Sequence, residues 1–133
     1  MIRIKRTYDP PAHGDGRRIL VERLWPRGMK KEDLDADVWL KEVAPSTELR
    51  KWFNHRVERW PEFRRRYRKE LAANQVGWEP IVEAEKHGNV TLLYSAHDVL
   101  HNGAMVLREF LATREAAPPR RAKRRANGSA DST

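Results

Sequence analysis

The chain has 133 residues, of which 39% are hydrophobic and 35% charged, and carries a net charge of +8. That is room for one domain with a real core, and the lack of cysteine excludes a disulfide framework, a thiolate metal site and a cysteine nucleophile. No apolar run is long enough to span a membrane, and the alternating start, Met1 to Arg6, lacks the continuous apolar stretch of a signal peptide, so no membrane partner and a cytoplasmic location are expected.

In chain order, Ile2, Ile4 and Lys5 suggest a short first strand. Thr7 to Gly16 holds two prolines and two glycines and reads as a loop. Arg17 to Leu24, with the apolar run Ile19-Leu20-Val21, is the second strand; Pro26 holds Trp25 extended, and Gly28 permits a turn. Lys30 to Leu34 suggests one helical turn, and Asp37 to Val43 a third strand with Val38 and Leu40 on one side and Trp39 on the other.

Ser46 reads as the N-cap of a helix from Thr47 to about Asn54, with Glu48 in its first turn. Trp60-Pro61 opens another helix, in which Trp60, Phe63, Tyr67 and Leu71 form a narrow apolar stripe among arginines. Glu79-Pro80 opens a third helix, ending at Gly88. Val90 to Tyr94 is a clear strand, and the last helix runs from Gly103 to about Thr113. From Glu115 onward no large apolar residue remains, so residues 115–133 are expected to be a disordered basic tail of net charge +3 behind a single domain over residues 1–114. Strands alternating with helices predict a small α/β domain whose mostly parallel, three- to four-stranded sheet is flanked by helices.

Several blocks carry a likeness beyond this pattern: Arg23-Leu24-Trp25-Pro26-Arg27-Gly28, Trp39-Leu40-Lys41-Glu42, Ala44-Pro45-Ser46, Leu49-Arg50-Lys51-Trp52-Phe53, the stripe from Trp60 to Leu71, Val90 to Tyr94, Asp98 and His101-Asn102. Together they resemble the YeaO-like branch of the uncharacterised domain-of-unknown-function family numbered 488, over roughly residues 1 to 112. The resemblance implies no substrate. Two positions depart from the family's usual pattern: Glu22 stands where Asp is common, and His97 where another polar or basic residue is.

Two stretches suggest a site. After the second strand, Arg23 and Arg27 could grip a phosphate or carboxylate while Trp25 forms a wall, at the sheet edge where open α/β folds place ligands. The plainer alternative is that Trp25 is core and the arginines pair with Glu22 and Asp33. After Val90–Tyr94, Asp98, His101 and Asn102 precede a helix: Asp98 and His101 could supply acid–base chemistry and Asn102 could contact a ligand, or Asp98 or Asn102 could simply cap the helix. His97-Asp98-Val99-Leu100-His101 imitates a zinc-binding His-Glu-x-x-His, but the segment straddles a strand end, so no metal is expected. Without a glycine-rich phosphate loop or dinucleotide fingerprint, no cofactor is expected either. The favoured reading is a small enzyme or ligand-binding domain for an anionic small molecule. The alternative is a nucleic-acid-associated protein using the basic helix over residues 60–71, with Arg64-Arg65-Arg66, and the Arg-rich tail.

Overall fold

Val90–Tyr94 is apolar or β-branched at almost every position because other strands flank it on both sides and structure covers both its faces. In the computed structural model, which describes residues 1–116, this strand (β4) is buried at all five positions. It pairs in parallel with β1 (Ile2–Arg6) on one flank and β2 (Arg17–Leu20) on the other, and β2 pairs in parallel with β3 (Val38–Trp39). The sheet is therefore four-stranded and wholly parallel, in the order β1-β4-β2-β3, and the protein is a small single-domain α/β fold.

Strand alternation divides the core in two. Ile19, Val21, Val90, Leu92 and Tyr94 meet apolar side chains of α2 (Thr47–Phe53), α3 (Trp60–Ala72), α4 (Gln75–Glu85) and α5 (Gly103–Ala116). Leu20 and Leu93, one residue out of phase, pack instead with Leu34 of the single-turn helix α1 (Lys31–Leu34) and with Trp25, Met29, Ala36 and Trp39. One face thus carries four helices and the other the β2–β3 connection together with the end of the β1–β2 connection at Asp15.

The second face also buries charge. Arg18, in phase with Leu20, donates to Asp15 at 2.5 Å, to the Leu34 carbonyl at 2.6 Å and to the Asp35 carbonyl at 2.9 Å. Asp15 also accepts from Lys5 Nζ and from the Ala12 amide, while its carbonyl accepts from Thr91 Oγ1. Arg18, Asp15 and Thr91 are all buried. Burial pushes the Asp15 carboxyl up, but the Ala12, Lys5 and Arg18 hydrogen bonds outweigh it and hold the group below its ordinary range.

Several boundaries differ from the sequence expectation. The second strand stops at Leu20 rather than Leu24, because Glu22 and Arg23 turn to bond other segments. The third strand is two residues long rather than seven: after Leu40 donates to the Leu20 carbonyl at 2.9 Å, the chain enters a 3-10 turn at Lys41–Val43. Helix α4 begins at Gln75, not Glu79, since Asn74 caps it through Gly77 N at 3.2 Å and Pro80 lies inside it. The Ser46 cap is present, accepting from Leu49 N at 3.1 Å. Helix α5 continues to Ala116, and the disorder expected of the tail concerns residues largely outside those described.

Candidate functional site

After β2 the chain leaves toward α1 on one face of the sheet; after the neighbouring β4 it leaves toward α5 on the other. The carboxyl ends of β2 and β4 therefore form the switch point at which open α/β sheets bind ligands. Here a side chain of the protein itself bridges the two ends. The Glu22 carboxylate accepts from Ser95 Oγ at 2.5 Å and from Ser95 N at 3.0 Å, and the Glu22 carbonyl accepts from Trp39 Nε1 at 2.6 Å.

Arg23 turns toward the segment before α2. Its Nε donates to the Pro45 carbonyl at 2.9 Å, and its terminal nitrogens reach the Ala44 carbonyl and the exposed Glu42 carboxylate, each at 3.3 Å. The rest of this segment is held in the same manner: Asn74 donates to the Glu42 carbonyl, Tyr67 to the Val43 carbonyl at 2.6 Å, and Glu70 accepts from Ser46 N and Oγ. Five consecutive residues that make no sheet ladder thus have side chains as backbone partners, which satisfies buried polar groups a strand would otherwise pair. Burial pushes the Tyr67 hydroxyl far above its ordinary range, so it is a permanent donor here.

Trp25 folds back onto the second face. Its Nε1 donates to the Met29 carbonyl at 2.7 Å, and its ring meets Trp39 edge-on with centroids 5.4 Å apart. Arg27 is exposed, and its guanidinium has no protein partner among the described residues. The Arg27 carbonyl accepts from the Tyr8 hydroxyl at 3.3 Å, and Tyr8 in turn lies under the Arg6 guanidinium, 5.1 Å from the ring centroid. Arg6 also donates to the Ala96 carbonyl at 3.0 Å and lies 3.4 Å from His97 Nδ1. Since β4 lies between β1 and β2, Tyr8 joins the segments following its two neighbours. Buried Thr7, directly after β1, leaves its hydroxyl without a hydrogen-bond partner.

Asp98, His101 and Asn102 form one tight turn. Asp98 accepts from Leu100 N, from His101 N and from His101 Nδ1 at 2.9 Å. Those bonds, the Leu100 amide foremost, hold its carboxyl below the ordinary range. The His101 ring lies edge-on to Trp60, 5.1 Å away. Buried Asn102 caps α5, accepting from Met105 N at 2.9 Å and donating to the Asp98 carbonyl at 3.0 Å. Asp98 is also felt by the hydroxyl of Tyr94: partial burial raises that group, Arg6 and Arg108 oppose the rise, and Asp9 and Asp98 add to it.

The structure therefore assembles Asp98, His101 and Asn102 but disperses Arg23, Trp25 and Arg27. Among the described residues no hydrogen bond or ion pair joins the two trios. The arginines of α3 are largely matched, Arg65 and Arg66 by Glu62 and Arg64 by Glu109, each at 2.7–2.8 Å; Arg65 and Arg66 lower the Glu62 pKa to about 2. The residues missed at this edge are Glu22 as a bridge, Arg6 and Tyr8. The first had a sign in the sequence: a carboxylate directly after an apolar strand must find donors.

A protein-family model described as "Inactive DUF488-N3 subclade" matches residues 1–129. The chain belongs to that family. Among relatives, the "Uncharacterized protein YeaO" of Escherichia coli (strain K12) is 48% identical over 110 residues, covering 83% of this chain and 96% of that protein. The "Uncharacterized protein Rv3073c" of Mycobacterium tuberculosis (strain ATCC 25618 / H37Rv) is 47% identical over 70 residues, 53% of this chain and 59% of that one. No solved structure gave a significant match. This member of the DUF488-N3 group has no helix among its described residues long and apolar enough to cross a membrane.

Proposed function

We propose that this chain is a ligand-binding domain that recognises an anionic group, a phosphate or a carboxylate, at the carboxyl edge of its sheet, and that it binds without turning its ligand over. The observation that carries this reading is the unpartnered, exposed guanidinium of Arg27, on a residue whose carbonyl accepts from Tyr8, the ring that lies under Arg6. A guanidinium without a carboxylate partner is the group best suited to a bidentate oxyanion. Arg23 supports the fold, and Trp25 supports the turn that carries Arg27.

Two features favour binding over catalysis. The family is designated inactive. The carboxylate offered as a base, Asp98, already accepts three hydrogen bonds and has a lowered pKa, which makes it a poor proton acceptor near neutral pH. Asp98 and His101 then act as the framework that positions Asn102 and the start of α5. Pairing of the α3 arginines with Glu62 and Glu109 lends less support to nucleic-acid association.

The test is a thermal-shift screen over inorganic phosphate, citrate and nucleoside phosphates on the wild type and on Arg27→Ala. Stabilisation by an anion, lost in Arg27→Ala, is the expected result. An anion-dependent shift of equal size in both proteins would remove Arg27 from the site and the reading with it.

A further inference from the structure

A concavity lies at the amino end of β2 and β4, away from the carboxyl edge. Helix α4 stops at Glu85 and presents Pro80 and Ala84, and β3 is only two residues long, so the helical layer leaves part of the β2–β3 face uncovered. The result is a cavity of 740 Å³ floored by Ile19, Val38, Leu40, Pro80 and Ala84, within the range of about 300–1,000 Å³ usual for small-molecule sites. Its rim is positively biased. Arg17 and His87 line it, both exposed and with side chains that have no partner among the described residues, whereas the rim carboxylate, Glu83, is paired with Lys86 at 3.0 Å.

The rim is also built rather than loose. Gly16 adopts φ +64°, and a Cβ there would lie 2.1 Å from the Asn89 carbonyl oxygen, so only glycine allows this approach. Arg17 N donates to that carbonyl at 2.9 Å, and Asn89 Nδ2 donates to the Gly14 carbonyl at 3.3 Å. These contacts fix the backbone that carries Arg17 against the loop that carries His87, which reduces the ordering cost of binding.

We propose that this groove is a second binding site, for a small molecule with a flat or aliphatic apolar body and one carboxylate. The apolar body covers Ile19, Val38, Leu40 and Ala84, and the carboxylate meets the Arg17 guanidinium and the His87 ring. The site is independent of the carboxyl-edge reading.

The test uses 2-naphthoate and its uncharged counterpart of the same shape, 2-naphthamide, titrated into the full chain and followed by NMR. Naphthoate is expected to shift the methyl signals of Ile19, Val38, Leu40 and Ala84 and to bind about tenfold more tightly than naphthamide. Arg17→Ala should bring naphthoate down to the naphthamide affinity, His87→Ala should weaken it several-fold, and Arg27→Ala should change nothing. Arg17 is exposed without a side-chain partner, so its variant keeps the fold, as an unperturbed core spectrum would show. Equal affinity for the two probes, shifts centred elsewhere, or naphthoate binding unaffected by Arg17→Ala would each overturn the proposal. So would groove methyls that shift on dilution alone, since a second copy would then be what covers the face.

Discussion

The carboxylate of Glu22 receives both the amide and the hydroxyl of Ser95, at 3.0 and 2.5 Å, and so ties the end of β2 to the end of β4. A bound oxyanion would take up these donors in the same way. Glu22→Ala leaves both part-buried donors unmatched, a loss of about 1–3 kcal/mol. If the bridge is anion-like, molar formate or acetate should recover part of the lost melting temperature, while chloride at equal ionic strength should not. Recovery by chloride as well would mean that general ionic effects explain the gain.

Arg23 and Arg27 stand four residues apart and should behave oppositely. Arg23→Ala removes the donors to the Ala44 and Pro45 carbonyls and should cost about 1.5–3 kcal/mol in urea unfolding. Arg27→Ala should stay within about 0.5 kcal/mol of the wild type. Arg23→Lys should recover little, because an ammonium lacks the fork that spans both carbonyls. A neutral Arg23→Ala would show that the loop holds without its clamp.

The Asp15 carboxyl has a folded-state pKa below its ordinary value of 3.8. Below that value the unfolded chain binds more protons than the native one, so stability rises with pH there. The contribution is therefore fully present above about pH 4 to 5 and is lost as the pH falls through the folded-state pKa. Urea midpoints measured from pH 2 to 6 should show this slope in the wild type and a shallower one in Asp15→Asn. That variant should also be weaker at neutral pH, by about 3–5 kcal/mol if the buried Arg18 guanidinium loses the Asp15 carboxylate it pairs with. Parallel profiles would assign the acid sensitivity to other groups.

Asn102 caps α5 through Met105 N and is itself buried. Asn102→Ala should cost about 0.5–2 kcal/mol, and Asn102→Asp less, since the acceptor survives. Hydrogen exchange at the Met105 amide should rise sharply in the alanine variant. Protection that is unchanged there would mean that another group caps the helix.

Much of the fold was legible because short-range patterns dictate it. The apolar density of Val90–Tyr94, the Ser46 cap and the stripe from Trp60 to Leu71 each need only neighbouring residues to be seen. Partners far along the chain were not legible. Arg23 looks like a ligand-binding arginine until the carbonyls of Ala44 and Pro45 are brought to it, and Arg18 looks like a strand-end charge until Asp15 and Lys5 enclose it. Its phase with Leu20 was the available hint: an arginine on a covered face needs a carboxylate. The third strand was overread because Val38, Leu40 and Val43 look like alternation, although the backbone after Leu40 bonds to side chains rather than to another strand. Arg27 and the Asp98 turn, which sequence spacing alone could not relate, share an edge but no direct bond.

The order β1-β4-β2-β3 has a consequence for how the chain acquires its shape. Neither N-terminal strand can pair with the other, because the strand that separates them is made last, with Ile2 registered against Val90 and Arg17 against the same residue. Closing that gap requires a long loop before any ladder bond repays it. During synthesis β1 therefore waits without a partner until residue 94 has emerged, and a chain cut before Val90 should retain at most local helices and the two-residue β2–β3 pairing. Joining β1 to the β2–β3 pair is in effect a single late event, in which one strand inserts between two that are already present.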